Sequence, residues 1–274
     1  MFIHIVENGI QGVPVSNGRR LKLQSITIPY SKEVKLMATI HPGLQVTWLG
    51  HSGFFIRTPG GTHVAIDPWL GNPLCPESAK QLPKLDALLL THGHGDHIGD
   101  AVTLAKQFQP QVVAIYELAT YLSAQGVQNT IGMNKGGTVK VGGIQVTMVH
   151  AVHSSAHVGE GGQIVYLGDP AGFVVKCEDG FTFYHAGDTA VFSDMQLIGQ
   201  IYQPELAFLP IGGLFTMDPR EAAVAVRLLG VKKVIPMHYR TFPPLSGTPD
   251  ELRELTRDIQ GLEIIELQPG IAVE

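Results

Sequence analysis

Cysteine is nearly missing: only Cys75 and Cys177 occur in 274 residues. One disulfide is the most the chain can make, so no disulfide framework holds it together, and reduced thiols in a cytoplasmic protein are expected. Basic blocks are missing too. Nineteen Lys and Arg are scattered among 24 Asp and Glu for a net charge of −5, which leaves no electrostatic footprint for nucleic acid. No apolar run reaches the ~18–20 residues of a membrane span, and the first residues lack the apolar segment of a signal peptide. Integral membrane association is therefore not expected. Neither a Gly-x-Ser-x-Gly elbow nor a Gly-Lys-Ser/Thr phosphate loop is present, so the pairs Gly136-Gly137, Gly161-Gly162 and Gly212-Gly213 read as tight turns. Internal repeats and low-complexity tracts are also lacking.

Histidine, in contrast, is concentrated. Thr91-His92-Gly93-His94-Gly95-Asp96-His97-Ile98-Gly99-Asp100 follows the apolar run Leu85–Leu90. Imidazole and carboxylate at this density make poor core but good ligands for divalent metals. A strand ending in His-x-His, with Asp-His opening a helix, can aim two ligand pairs at neighbouring points. Histidine recurs at His150, His153 and His157 after the strand-like Ile144–Val149. His185-Ala186-Gly187-Asp188-Thr189 and Met237-His238 follow two further apolar runs. All lie just past predicted strands, where α/β folds gather their chemistry.

These motifs resemble the metallo-β-lactamase superfamily from about residue 44 to the C-terminus. Trp48-Leu49-Gly50-His51-Ser52-Gly53, Ile66-Asp67-Pro68-Trp69 and His185–Thr189 narrow the resemblance to its metal-dependent hydrolase branch. That branch is related to ascorbate-6-phosphate lactonase and to the phospholipase D that hydrolyses N-acylphosphatidylethanolamine. The resemblance implies an αββα four-layer sandwich, two β-sheets packed face to face with helices outside. It also implies two divalent ions, zinc first, with Mn²⁺, Fe²⁺ or Ni²⁺ compatible. His92, His94 and His153 would form one ligand set; Asp96, His97 and His238 a second, with Asp188 as the bridge. A metal-bound hydroxide is then the expected nucleophile.

Lactone or ester hydrolysis of a small-molecule substrate leads the functional expectation, with phosphodiester hydrolysis as the alternative. Weak β-lactamase activity and a non-catalytic metal-binding scaffold are further alternatives. Besides Asp96, His51 and His185 are candidate catalytic groups, His51 for proton transfer and His185 for orienting Asp188. Asp67 is a candidate partner for a metal-bound imidazole; its competing reading is an ordinary turn residue before Pro68. His150 is read equally as a hydrogen-bonded structural histidine, and His157 as a rim residue. Phe215, Met217, Tyr239 and Phe242 are expected to make an apolar pocket wall, or simply core. Arg240 is read as exposed, with pairing to an anionic substrate as the alternative.

Residues 1–36, punctuated by Asn8-Gly9, Pro14, Asn17-Gly18 and Pro29, are expected to be an appendage, either an arm or edge strands used in subunit contact. Residues 37–274 are expected to be one hydrolase domain with two halves, which leaves a homo-oligomer open. Within that domain, Gly142-Gly143 and Asp179-Gly180 predict hairpins. Asp218-Pro219-Arg220-Glu221 opens a helix that Gly230 ends. Strands are also expected over 85–90 and 262–267.

Overall fold

The computed structural model of the chain describes residues 39–274. The arm or edge strands expected over 1–36 lie outside the described residues. The first half contains β1 (Gln45–Gly50), β2 (Gly53–Arg57), β3 (His63–Ile66), β4 (Ala87–Leu89), β5 (Gln111–Ile115) and β6 (Thr130–Met133). Helices α1 (Gly95–Ile98), α2 (Ala101–Phe108) and α3 (Tyr116–Ala124) lie among them. The second half has β7 (Thr138–Val141), β8 (Ile144–His150), β9 (Ala156–Val158), β10 (Ile164–Tyr166), β11 (Ala171–Lys176) and β12 (Thr182–His185). It continues with β13 (Leu206–Pro210), β14 (Lys233–Met237), β15 (Glu263–Ile264) and β16 (Ala272–Val273), interleaved with α4 (Met195–Tyr202), α5 (Pro219–Leu229) and α6 (Pro249–Leu255).

Two seven-stranded sheets result, ordered β16-β1-β2-β3-β4-β5-β6 and β15-β14-β13-β12-β11-β8-β7. Each changes from antiparallel to parallel pairing part-way across, at β3–β4 in one and at β12–β13 in the other. The change follows the connections. Tight turns such as Gly142-Gly143, which puts Val141 opposite Ile144, give antiparallel neighbours. Crossovers through α2 and α5 give parallel ones. Central strands β4 and β13 are buried throughout, as strands covered on both faces must be. In β8, exposed Gln145 alternates with buried Ile144 and Val146 before burial becomes continuous. The sheets meet face to face: Phe54 of β2 contacts Phe208 of β13 edge-on, with ring centroids 4.6 Å apart. This is the metallo-β-lactamase fold, two mixed sheets packed with helices.

Helix boundaries follow local chemistry where it is strong. Asp218 accepts hydrogen bonds from Arg220 N and Glu221 N at the start of α5, and Gly230 closes it at φ 68°. Two expected strands shrink. The run 85–90 pairs only over Ala87–Leu89, and 262–267 only over the edge pair Glu263–Ile264. Apolar character marks burial, whereas pairing stops where neighbours stop. The C-terminal ends of β4, β8, β12 and β14 all open onto one edge of the sandwich, and the polar segments that follow them converge there.

Candidate metal centre

His94 is the N-cap of α1, a single turn that Gly99 stops at φ 41°. A side chain at Gly99 would lie 2.6 Å from Trp69 Cα, so the turn requires glycine there. This tight geometry directs His92, His94, Asp96 and His97 toward one place from a stretch of six residues. His153 arrives from the loop after β8, Asp188 from the loop after β12, and His238 from the residue after β14.

Ring nitrogens of His92, His94 and His153 lie within 4.8 Å of one another, and so do ligand atoms of His51, Asp96, His97 and His238. His92 Nε2 and His94 Nδ1 are 2.9 Å apart. Asp188 Oδ2 joins the two groups. It is 3.0 Å from His238 Nε2, 3.2 Å from His97 Nε2 and 3.7 Å from His153 Nε2. The other carboxylate oxygen, Oδ1, accepts from Ser52 Oγ at 3.4 Å.

The surrounding hydrogen bonds fix which nitrogens carry protons. Asp67 accepts from Thr91 N (2.8 Å), Thr91 Oγ1 (2.5 Å) and His97 Nδ1 (2.8 Å). Having donated to Asp67, the Thr91 hydroxyl accepts from His92 Nδ1 at 3.0 Å. Protons on the Nδ1 atoms leave both Nε2 lone pairs facing the cluster. His97 Nε2 is buried and makes no hydrogen bond of proper geometry among the described residues. Converging lone pairs beside a buried carboxylate repel one another unless a cation sits between them, so this donor set fits divalent metal ions. Asp96 and Asp188 with these histidines are borderline-to-hard donors suited to zinc, manganese or iron.

Electrostatics agree. Burial pushes His92, His94 and His153 below the ordinary histidine pKa, keeping them neutral and able to donate lone pairs. Burial also opposes charge on Asp188 and His97. Even so, His238 and His97 hold the Asp188 carboxyl well below its usual range, and Asp188 and Asp67 hold His97 well above its own. The two carboxylates that favour a proton on His97 would equally favour a metal cation beside it.

His51 and Asp67 are close enough to be mistaken for ligands, yet their atoms are already engaged. His51 Nε2 is 2.9 Å from Asp96 Oδ2, and Nδ1 is 2.8 Å from Thr241 Oγ1. Burial lowers its pKa to about 4. His51 therefore holds Asp96 and has no free nitrogen for a substrate. His185 is not brought to the cluster. Fully buried, it hydrogen-bonds Ser52 O at 3.2 Å and accepts from Gly187 N at 3.2 Å. Its link to Asp188, which it was expected to orient, runs through the backbone of Gly187.

Three residues here hold left-handed backbone without being glycine: His51 (φ 53°), Asp67 (φ 44°) and His238 (φ 54°). Such conformations persist only where surrounding contacts enforce them, and they gather at functional sites. His238 N donates to His51 O at 3.0 Å, so two of the three brace each other.

Among the other histidines, His150 is exposed, bonds Lys135 Nζ at 3.2 Å and stays outside the cluster. His157, on β9, lies 6.0 Å from the Tyr121 ring. Met217 and Tyr239 are core residues and not part of a pocket wall; Phe215 and Phe242 remain exposed. Arg240 is exposed and paired with Glu266 at 3.0 Å. Sequence reasoning missed Thr91, Thr241, Ser154 and Ser155, which orient the site. Ser154 Oγ lies 3.3 Å from His94 Nε2, and Ser155 Oγ accepts from Gly93 N. Only their nearness to the histidine motifs marks them. A groove of about 680 Å³ exists at the opposite end of the sandwich, where Phe181, Glu205 and Lys233 precede or begin β12–β14; none of the cluster lines it.

A fold and donor set of this kind define a class, and comparison with known proteins places the chain within it. The β-lactamase superfamily domain matches residues 62–239, and the chain belongs to that superfamily. It is 52% identical over 229 residues to a UPF0173 metal-dependent hydrolase of Koribacter versatilis, covering 83% of this chain and 97% of that protein. A Solibacter usitatus relative of the same designation is 54% identical over 232 residues, covering 84% and 100%. Among solved structures it is similar to Igni18, a metallo hydrolase of the archaeon Ignicoccus hospitalis. The TM-score is 0.72 and the identity 35%, over 84% of this chain and 97% of that one. The protein is a metal-dependent hydrolase of this superfamily.

Proposed function

We propose that the enzyme cleaves a lactone or ester at a two-ion centre held by His92, His94 and His153 on one side, Asp96, His97 and His238 on the other, and Asp188 between them. The observation that carries this reading is the position of Asp188 Oδ2, within 3.7 Å of a nitrogen from each set. A carboxylate that only completed one site would not reach both. Two divalent ions held there would polarise the scissile oxygen and lower the pKa of a shared water toward ~7.

The protein's part is to fix and neutralise. Asp67 holds the His97 ring, Thr91 holds His92, and the Thr241–His51 pair holds Asp96. Asp188 supplies charge that offsets repulsion between two dications. Partly open His94, Asp96 and His153 form the mouth, while buried His92, His97 and His238 form the floor. Substrate therefore arrives on the side of His94, Asp96 and His153.

The test joins metal analysis to a substrate panel. Purified protein should carry two ions per chain, lose turnover of γ- and δ-lactones or aryl esters to a chelator, and regain it on adding metal. Faster cleavage of bis(p-nitrophenyl) phosphate than of any lactone or ester would replace this reading with a phosphodiesterase. Full activity in verified metal-free protein would end it.

A further inference from the structure

Two of the proposed ligand histidines lean on a hydroxyl, one buried and one open. His92 Nδ1 donates to Thr91 Oγ1 at 3.0 Å, and Thr91 Oγ1 donates in turn to the buried Asp67 carboxylate. His94 repeats the first step. Its Nδ1 lies 2.9 Å from His92 Nε2, on the side of the cluster, and its Nε2 lies 3.3 Å from Ser154 Oγ. Ligation through Nδ1 engages that lone pair, so the proton sits on Nε2 and is donated to Ser154 Oγ. Ser154 still has its own proton to give. A carbonyl would orient His94 as well but would have nothing to donate. A hydroxyl that accepts from an N–H also becomes a better donor, because linked hydrogen bonds polarise one another.

At Thr91 the protein itself supplies the acceptor, Asp67. Ser154 is exposed; it follows half-open His153 and touches half-open His94, so its proton is offered at the mouth. The segment is pinned on both sides. Val152 N donates to Thr189 Oγ1 and Val152 O accepts from Ala190 N, each at 3.0 Å. Beyond Ser154, the buried Ser155 accepts from Gly93 N at 3.0 Å through Oγ and from Leu167 N at 3.3 Å through its carbonyl. Only His153 and Ser154 lie between these anchors. The bracing that places ligand His153 therefore fixes the Ser154 hydroxyl with it, and a donor ordered in advance costs less to engage on binding.

Resting on the two-ion hydrolytic reading above, we infer that Ser154 is a substrate-binding residue whose hydroxyl donates to a second oxygen of the substrate, separate from the scissile group. Ser154 Oγ stands across the His94 ring from the cluster-facing Nδ1, which places it away from the oxygen that the ions would polarise. The substrate class narrows accordingly to a lactone or ester that carries a further carbonyl or hydroxyl oxygen a few bonds from the bond that breaks.

Binding tests this apart from turnover. Levulinate and 4-methylpentanoate are carboxylates of similar shape, and only the first has a keto oxygen. Calorimetry on the full-length, zinc-loaded protein gives the affinity of each. Ser154→Val should lower the ratio of levulinate to 4-methylpentanoate affinity by about fivefold, the worth of one hydrogen bond, with zinc content unchanged. Ser154→Thr has the same shape as the valine variant but keeps the hydroxyl, and should hold the wild-type ratio. Ser154→Ala should behave like Ser154→Val, which separates a lost donor from added bulk. In nitrogen–proton NMR of the zinc-loaded protein, His94 Nε2 should carry a proton whose resonance moves in Ser154→Ala. A bare His94 Nε2, a ratio unchanged in the valine and alanine variants, or an equal fall in the threonine variant would overturn the inference. Loss of zinc from the variants with no change of ratio in the protein that remains loaded would do so too, because Ser154 would then only orient His94. The p-nitrophenyl esters of the two acids, with γ- and δ-lactones, test the hydrolytic reading alone. If none is cleaved while the ratio falls without the hydroxyl, the donor stands and the hydrolytic assignment falls; if they are cleaved and the ratio holds, the reverse is true.

Discussion

At the scale of single residues, Asp188 and Asp96 are both carboxylates beside histidines, but their surroundings differ. Asp188 is buried and reaches both nitrogen groups, whereas Asp96 is a third exposed and tied to His51. Asp188→Ala should therefore empty both metal positions together, while Asp96→Ala should injure mainly the second and leave the three-histidine position partly filled. Metal stoichiometry on folded variants separates the two. Two tightly held ions and near-normal turnover in Asp188→Ala would refute the bridge. His185 makes a different prediction. Burial lowers its pKa to about 4 from an ordinary 6.5. Between those values the unfolded chain takes up a proton that the folded chain refuses, so stability falls as pH drops through that window, by about 3 kcal/mol when complete. Other buried histidines add in the same direction. The clean measure is thus the difference between the metal-free wild type and His185→Gln in denaturant midpoint at pH 7 and pH 4.5. The variant should show the shallower loss, and identical losses would contradict the assignment. Candidate ligands could be named from the chain because metals accept few residue types, and the structure brings those side chains together at the strand ends. Threonine and serine partners could not, since a hydroxyl that orients a histidine looks in sequence like any other.

Elements place those residues, and the end of β12 shows how closely. Gly187 sits at φ 62°, and a side chain there would lie 2.7 Å from Ala171 O and 2.9 Å from Thr91 Cβ. Both neighbours belong to segments that carry the site: Ala171 opens β11, and Thr91 holds His92 and Asp67. Gly187→Ala should accordingly cost at least ~1–3 kcal/mol in stability through backbone strain alone, and metal affinity should fall with it. Urea denaturation and metal titration check both effects; a stable variant with wild-type affinity would show that this turn tolerates movement. Strands with apolar runs and hairpins with glycine turns were visible in sequence. Helix α6 carried a readable signal that went unused: Thr248-Pro249-Asp250-Glu251 forms a capping box, with Thr248 Oγ1 accepting from Glu251 N and Glu251 accepting from Thr248 N. Helix α4 had no such mark, since Asp194 makes no side-chain cap. The β9–β10 hairpin was hidden for another reason. Val158, Ile164 and Tyr166 all face outward, so no alternation with a buried face announces it.

Across the whole molecule, the two halves contribute unequally to one centre. His92, His94, Asp96 and His97 come from the first sheet's edge, and His153, Asp188 and His238 from the second's. Their meeting depends on the packing of the two sheets, anchored by contacts such as Phe54 on Phe208. None comes from the first 36 residues, and the curated relatives match this chain over 97–100% of their own length while leaving the remainder of it unmatched. Among the described residues, the earliest with a side chain in the cluster is His51, through Asp96. Removing residues 1–36 should therefore leave two ions per chain and the same pH profile of turnover in the folded product. If the arm serves subunit contact, the truncation should instead change the sedimentation coefficient and make stability depend less on protein concentration. Analytical ultracentrifugation beside metal analysis distinguishes the outcomes. Loss of metal from a folded truncation would mean that the centre is not complete within residues 37–274.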